Sequence, residues 1–355
     1  MSVGVIGAGI VGLSTAFALR ERGAEVALYE RGVPGNGQSG GESRIFRHAH
    51  DDRRLVAFAR EARGMWREWE QYFGEELLAR DGVVAIGTAA ERRLAVLEED
   101  GGVRACPLDP SELSEWIPLL ESPEGPAILD EDGGVIRARA TIEALARAVV
   151  DSIAYDEVLS VRETEGHAIE VCAGGSVVDH DRVVLCAGRG TVALARGAGL
   201  PLPVRQAAHV RLTYRVRGEP PARLACLLDG RGAYGDPLPG NDAYAVGLGE
   251  TPVHDDGSLV RPAELATLAA ATNAYVEEAL PGLDPDPIDI RHCWVTEVPW
   301  SPDGFAVWEV GNVLAVAGNN LFKHAPALGH ALALAALGEP LSPTLRPEAK
   351  LGAAR

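Results

Sequence analysis

Val3-Gly4-Val5-Ile6-Gly7-Ala8-Gly9-Ile10-Val11-Gly12-Leu13-Ser14-Thr15-Ala16 opens the chain, and Val26-Ala27-Leu28-Tyr29-Glu30 follows it. Val3, Val5 and Ile6 form a short apolar β-run, a glycine turn comes next, and a helical stretch leads to a second strand. Gly7, Gly9 and Gly12 stand in the G-x-G-x-x-G spacing. In a strand–turn–helix–strand unit the first glycine permits the tight turn. The second lets a pyrophosphate approach the backbone, and the third lets helix and strand pack closely. The helix N-terminus offers N–H groups and a positive dipole end to phosphates. Glu30 closes the second strand, where a carboxylate accepts hydrogen bonds from ribose hydroxyls and repels a 2′-phosphate. The unit reads as a dinucleotide site for FAD or NAD rather than NADP.

Composition narrows the surroundings of that site. A chain of 355 residues suits two domains, or one core with a cap. With 46% hydrophobic and 24% charged residues it can bury a large core. The net charge of −18 repels nucleic acid and anionic membranes, so neither is an expected partner. No run of about 18 apolar residues is present, and strand 1 begins at the N-terminus, so no transmembrane helix or signal peptide is expected. Cys106, Cys172, Cys186, Cys226 and Cys293 are scattered without a C-x-x-C, which points to a reducing, cytoplasmic compartment without disulfides or zinc. His48, His50 and His324 lack ligand spacing, so no metal is expected.

Further along, Arg31 to Arg47 holds five glycines and a proline and reads as a loop lying along the cofactor. The spacing predicts a helix over 55–73, a strand over 82–87, and a polar helical stretch over 90–120 broken at Pro107 and Pro110. A further helix is expected over 141–150 with Thr141 as N-cap. Alternating strands are expected between 157 and 178, and Arg182-Val183-Val184-Leu185-Cys186-Ala187-Gly188 reads as a buried strand ending in a tight turn at the cofactor. Residues 205–250 read as strands, 262–279 as a helix, 288–296 and 312–318 as strands, and 328–337 as the closing helix. Strands near both termini and near residue 185 are expected to share one sheet. The cofactor domain would then be discontinuous (1–75, 133–204 and 289–355), with 76–132 and 205–288 building a substrate-binding domain.

Gly41-Glu42-Ser43-Arg44-Ile45-Phe46-Arg47-His48-Ala49 brings a family into view. Together with the glycine fingerprint, Leu185 to Gly188, Pro203-Val204-Arg205-Gln206, Cys293-Trp294-Val295-Thr296, Pro302 to Phe305 and Phe322-Lys323-His324-Ala325-Pro326, it resembles the D-amino-acid-oxidase-like flavoproteins. Within that superfamily the motifs resemble the branch of monomeric sarcosine oxidase and N-methyltryptophan oxidase. The resemblance implies FAD and an α/β fold: a Rossmann-like FAD-binding domain with an inserted antiparallel-sheet, α+β substrate domain. It implies oxidation of an amine C–N bond to an imine. In such relatives the cysteine matched by Cys293 carries FAD through a thioether, the residues matched by Arg47 and Lys323 hold the substrate carboxylate, and the arginine matched by Arg44 lies beside the flavin. The expected catalytic residues are therefore Arg44, Arg47 and Lys323. The expected cofactor contacts are Gly7, Gly9, Ile10, Val11, Gly12, Glu30, Arg31, Gln38, Ser39, Ser43, Arg44, Val158, Ala187, Gly188, Cys293, Gly318, Asn320, Leu321, Phe322 and Lys323. Lys323 followed by a helix N-terminus, with Pro326 near its first position, would stabilise negative charge on the reduced ring. Arg44, Arg291 and His292 are the candidate cations beside the Cys293 thiol.

Three departures accompany the resemblance. The segment Gly318 to Lys323 is shorter than its counterparts and lacks their glycines. Gly247 stands where relatives carry a lysine important for reaction with oxygen. Val295 and Thr251 replace a tyrosine and a histidine of sarcosine oxidases. The reading is an FAD-dependent oxidoreductase of an amino acid or a secondary or cyclic amine, passing electrons to oxygen or another acceptor, as a monomer or small homo-oligomer. Two other readings stay open: a flavin dehydrogenase or hydroxylase of another substrate class using a non-oxygen acceptor or NADPH, and a non-catalytic FAD-binding protein.

Overall fold

The opening strand Ser2–Ile6 lies inside a six-stranded sheet of a computed structural model that describes every residue except 122, 124, 166, 167, 253–261, 354 and 355. The strand order is Phe305–Val310, Val313–Gly318, Arg182–Leu185, Ser2–Ile6, Glu25–Tyr29 and Ile153–Ala154. All neighbours are parallel except the terminal hairpin of Phe305–Val310 with Val313–Gly318. Val3, Val5, Val184, Leu185 and Leu314 are fully buried, as strands covered on both faces require. The expected sharing of one sheet by the terminal strands and the strand near residue 185 is observed.

Helix Ile10–Arg20 packs against the closing helix Leu321–Ala336. Their crossing is close: a Cβ on Gly329 would meet the Ser14 side chain and lie 2.7 Å from the Ser14 carbonyl carbon. Helix Arg53–Phe73 starts where Asp52 accepts from the Arg54 N–H and stops at Gly74 in the left-handed region. Its buried face carries Leu55, Val56, Ala59, Ala62, Trp66 and Trp69, and the Trp66 indole donates to the Lys323 carbonyl at 2.9 Å, pinning the closing helix.

A second, mostly antiparallel sheet runs Thr251–Pro252, Arg205–Arg215, Ala243–Leu248, Ala233–Pro237, Cys226–Asp229, Val83–Ile86, Ala127–Asp130 and Ala105–Leu108, with Asp289–Glu297 paired to Arg205–Arg215 as its ninth strand. A ribbon of Ser43–Phe46 with Gly134–Arg137 joins the two halves, and strands 158–163, 169–173 and 176–180 form a separate small sheet. Among the described residues no helix is long and apolar enough to cross a membrane.

Four local expectations are corrected. The stretch 90–120 is not one broken helix: Gly101 ends helix Ala90–Asp100 in the left-handed region, Ala105–Leu108 pairs at the sheet edge, and an Asp109–Glu112 capping box starts helix Pro110–Trp116. Thr141 is not an N-cap, because Ala138 begins the helix by donating to the Glu42 carbonyl, and the Thr141 hydroxyl bonds back to the Arg137 carbonyl. The closing helix begins at Leu321, seven residues before the expected start at Leu328, so Lys323 lies in its first turn and Pro326 inside it. The strand Asp289–Glu297, assigned by sequence to the cofactor segment 289–355, hydrogen-bonds along its full length to Arg205–Arg215 in the nine-stranded sheet.

Gly329→Ala forces the two helices apart and should cost about 1–3 kcal/mol. A lowered melting temperature is the expected outcome; a wild-type melting curve would show that the crossing has slack.

Candidate cofactor cleft and cation cluster

The cradle follows from two βα turns that meet. Gly7 has φ +99°, and a Cβ there would lie 2.8 Å from the Ala187 Cα and the Cys186 carbonyl oxygen. A Cβ on Gly12 would overlap the Gly7 carbonyl oxygen. The turn after Ser2–Ile6 is thus pressed against the turn after Arg182–Leu185. Gly9 is the N-cap of the first helix, whose buried first turn contains Ile10, Val11 and Gly12. The Ile10 N–H donates to the Ser39 Oγ at 2.9 Å. The Glu30 carboxylate accepts from the Ala8 and Gly32 N–H groups, both at 2.9 Å. A cradle that any side chain would fill, a helix N-terminus above it and a carboxylate on the adjoining strand fit a dinucleotide such as FAD. Arg31 points outward to Glu157 at 3.1 Å, next to Val158.

One loop carries this cradle to the rest of the cleft. Gln38 donates to the Trp294 carbonyl at 3.0 Å, and a Cβ on Gly188 would meet its Oε1 at 2.6 Å. The Arg44 guanidinium donates to the carbonyls of Gln38, Gly40 and Ser43 and lies 5.8 Å from the centre of the Phe322 ring. Gly318 precedes Asn319 and Asn320, and Asn320 sits at φ 56° as N-cap, directly before Leu321 and Phe322. Arg211, which the sequence reading passed over, reaches across from the nine-stranded sheet. It donates to both Asp236 oxygens at 2.6 and 2.7 Å, to the Ser43 Oγ at 2.8 Å and to the Ser43 carbonyl at 3.0 Å. Burial works against the Arg211 charge, but Asp236 outweighs it and the pKa is raised. Burial, helped by Arg211, lowers that of Arg44, and Cys293 opposes it. Cys293 therefore lies within electrostatic reach of Arg44 and Arg211. Arg291, an expected neighbour, turns to Asp289 at 3.0 Å, and His292 lies on the exposed part of the strand. By contrast, burial pushes the Cys186 thiol up to about 12 and Cys226 well above the ordinary value. The space above Gly247 is filled by the Tyr234 ring, which a Cβ on Gly247 would strike.

The second feature is a buried cluster at the N-terminus of the closing helix. Arg47 donates to the Asp303 Oδ2 and the Ala49 carbonyl. His50 Nδ1 lies 3.2 Å from the same carboxylate oxygen, and the Asn320 amide donates to the other. Lys323, 3% exposed, lies within electrostatic reach of Arg47 and Asp303. Burial, then Arg47, holds its ammonium well below the ordinary lysine pKa. Burial also holds His50 and His324 well below the usual histidine value, and the nearby cations add to it. Burial alone would raise Asp303, but Arg47, the His50 hydrogen bond and Lys323 together hold it well below the usual carboxylate range. The shortened segment before Lys323 is thus anchored by Asp303 through Asn320. Arg47, expected to be free for a substrate carboxylate, already has a carboxylate partner. The sequence signal for Arg211 was the period-2 run of Arg205, His209 and Arg211 on one strand face; Asp303 stood inside the Pro302 to Phe305 motif without an assigned role, and for Asp236 there was no signal.

Three comparisons bear on this arrangement. The family described as FAD dependent oxidoreductase matches residues 2–335. The chain is 26% identical over 326 residues to the peroxisomal sarcosine oxidase of Homo sapiens, covering 83% of this chain and 80% of that protein. Its fold is similar to that of NikD, an unusual amino acid oxidase essential for nikkomycin biosynthesis, with a TM-score of 0.84, 20% identity, and 99% and 97% of the two chains covered. It is similar also to L-proline dehydrogenase from P. horikoshii, with a TM-score of 0.81, 19% identity, and 100% and 99% covered.

Asp303→Asn leaves Arg47 and Lys323 without their half-buried counter-charge and should cost about 1–3 kcal/mol at neutral pH. Because Asp303 titrates lower folded than unfolded, its stabilisation is present above about pH 4 and is lost as pH falls through the folded value. Urea unfolding should show the gap between wild type and variant shrinking on acidification. A gap that stays constant with pH would mean the carboxylate charge contributes nothing.

Proposed function

The chain belongs to the FAD-dependent oxidoreductase family and is an FAD-dependent oxidoreductase, and from that premise we propose that it oxidises the C–N bond of an amino acid or a secondary or cyclic amine to an imine. FAD, when bound, would supply the acceptor for a hydride from the carbon alpha to nitrogen. The observation that carries the reading is the basic grouping at the closing helix: Arg47, paired with Asp303, and the buried Lys323 lie together there. The grouping suits the carboxylate of an amino-acid substrate, and Arg is the side chain that binds carboxylates through two parallel hydrogen bonds.

In this reading Gly7, Gly9, Gly12 and Glu30 hold the dinucleotide end of FAD, and the loop from Gln38 to Arg44 lies along it. Cys293 would carry the flavin as a thioether. Arg47 orients the substrate, with Asp303 fixing the guanidinium. Lys323 and the positive end of the closing helix stabilise the negative charge that oxidation delivers to the ring. A neutral amine can release a hydride directly, so no residue is assigned as a strong base; the chain supplies orientation and charge. The six-stranded sheet is taken as the cofactor half and the nine-stranded sheet as the substrate half. A second reading, a dehydrogenase passing electrons to an acceptor other than oxygen, is favoured by the Tyr234 ring over Gly247. With all five cysteines unpaired, we assign the protein to a reducing compartment, the cytoplasm.

The deciding experiment is anaerobic mixing of the yellow, FAD-containing protein with a panel of amino and imino acids. Bleaching by one of them is expected, and re-oxidation by air against a dye then separates the two acceptors. A flavin that no amine bleaches would sink the assignment. Arg47→Ala should weaken carboxylate substrates about 30- to 1000-fold, or ~2–4 kcal/mol, with flavin content unaltered. Unchanged apparent affinity would remove Arg47 from the substrate site.

A further inference from the structure

The sheet face that carries Cys293 holds a constellation that the oxidation step does not use. In the antiparallel pairing of Arg205–Arg215 with Asp289–Glu297, His209 stands directly opposite Cys293 and Arg205 opposite Glu297. Directly opposite residues share a face, with Cβ atoms about 4.5–5.5 Å apart. His209 is largely buried, its ring lies edge-on to Tyr234 at 6.2 Å, and neither Nδ1 nor Nε2 makes a hydrogen bond. Its Nε2 lies 3.4 Å from a Glu250 carboxylate oxygen. Arg205 bridges Glu250 and the buried Glu297.

The two carboxylates are not equivalent. The nearby His209, with help from Glu297 and Arg205, brings Glu250 down to about 2, whereas burial and the neighbouring Glu250 raise Glu297. The negative charge of the pair therefore rests on the oxygen facing the imidazole. On the other side Cys293 lies within electrostatic reach of Arg44, Arg211 and Tyr234, with Asp236 near them. A thiol, a histidine with one nitrogen facing a carboxylate at 3.4 Å, and cations near the sulfur are the parts from which a nucleophile is activated.

We propose that His209, oriented by Glu250, is the proton acceptor of the Cys293 thiol. The Sγ–H bond breaks, its electron pair stays on sulfur, and the proton passes to Nδ1 of His209, the ring nitrogen away from Glu250; nothing is oxidised or reduced. Glu250 faces the resulting imidazolium, while Arg44 and Arg211 lie within electrostatic reach of the thiolate. That the electrophile for this sulfur is the FAD ring rests on the function proposed above; the proton transfer does not.

The test is alkylation of the full-length, flavin-free protein from riboflavin-starved cells with iodoacetamide across pH, with modification at Cys293 read by peptide mass. The pH midpoint of the wild-type Cys293 rate is the reference. His209→Asn should move that midpoint up by about one unit or more, slowing alkylation at neutral pH about tenfold. Glu250→Gln, which leaves the ring in place, should shift it the same way by less, and it carries the test if the His209 variant does not fold. An alkylation profile unchanged by the substitution overturns the proposal. Acid precipitation of wild-type holoprotein separates the two claims. Release of all FAD with a His209-dependent profile removes covalent attachment and leaves the proton transfer standing. Retained colour with a His209-independent profile does the reverse.

Discussion

A single carboxylate, that of Asp303, organises the end of the molecule where chemistry is assigned. It accepts from Arg47, His50 and Asn320 and lies in the field of Lys323. Burying that many donors without a counter-charge would cost several kcal/mol per ion. With Asp303 in place, the left-handed Asn320 N-cap is held, the closing helix starts early, and Lys323 enters its first turn. The tryptophan of another helix, Trp66, then locks the Lys323 backbone. The geometry of the cation cluster is therefore a consequence of one ion pair.

The same logic runs along the seam between the two sheets. Arg211 and Asp236, from the nine-stranded sheet, clamp Ser43 at the start of the ribbon, and His48 after the ribbon donates its N–H to Asp130 at 2.5 Å, with its Nδ1 3.0 Å from the same carboxylate. Buried ion pairs contribute little net stability, but removing one partner is expensive, so such pairs discriminate strongly against wrong registers. The loop from Gln38 to Arg44 is held at both ends, by Trp294 and Ser39 contacts on one side and by the Arg211 clamp on the other. A loop rich in glycine thus becomes a defined wall of the cleft.

Much of the architecture was legible in the chain. The glycine fingerprint with Val3, Val5 and Glu30 located the cradle, and the apolar spacing of Leu55 to Phe73 located the long helix, because both signals are written within one or two turns of backbone. Failures fell where an element's fate depends on a distant partner. Thr141 looked like a cap until Glu42 supplied the acceptor for Ala138, and the sequence places the helix after Lys323, whereas with Asp303 holding Asn320 it starts at Leu321. His292 and Arg291 are one and two residues from Cys293, yet the cations in electrostatic reach of the sulfur are Arg44 and Arg211: His292 points to the opposite face, and Arg291, on the exposed part of the strand, turns to Asp289.

The sequence by itself determined the family, the dinucleotide turn and the set of charged residues available to a site, because backbone stereochemistry and apolar periodicity are local properties. Only the tertiary structure decided which charges pair. Arg47 meets Asp303 across 256 residues of chain, Arg211 meets Ser43 across 168, and His209 meets Cys293 through strand register. Ion pairing and proton sharing depend on distance and burial, which a linear order of residues does not contain; the fold sets both at once, and with them whether an arginine is a free clamp or a held one.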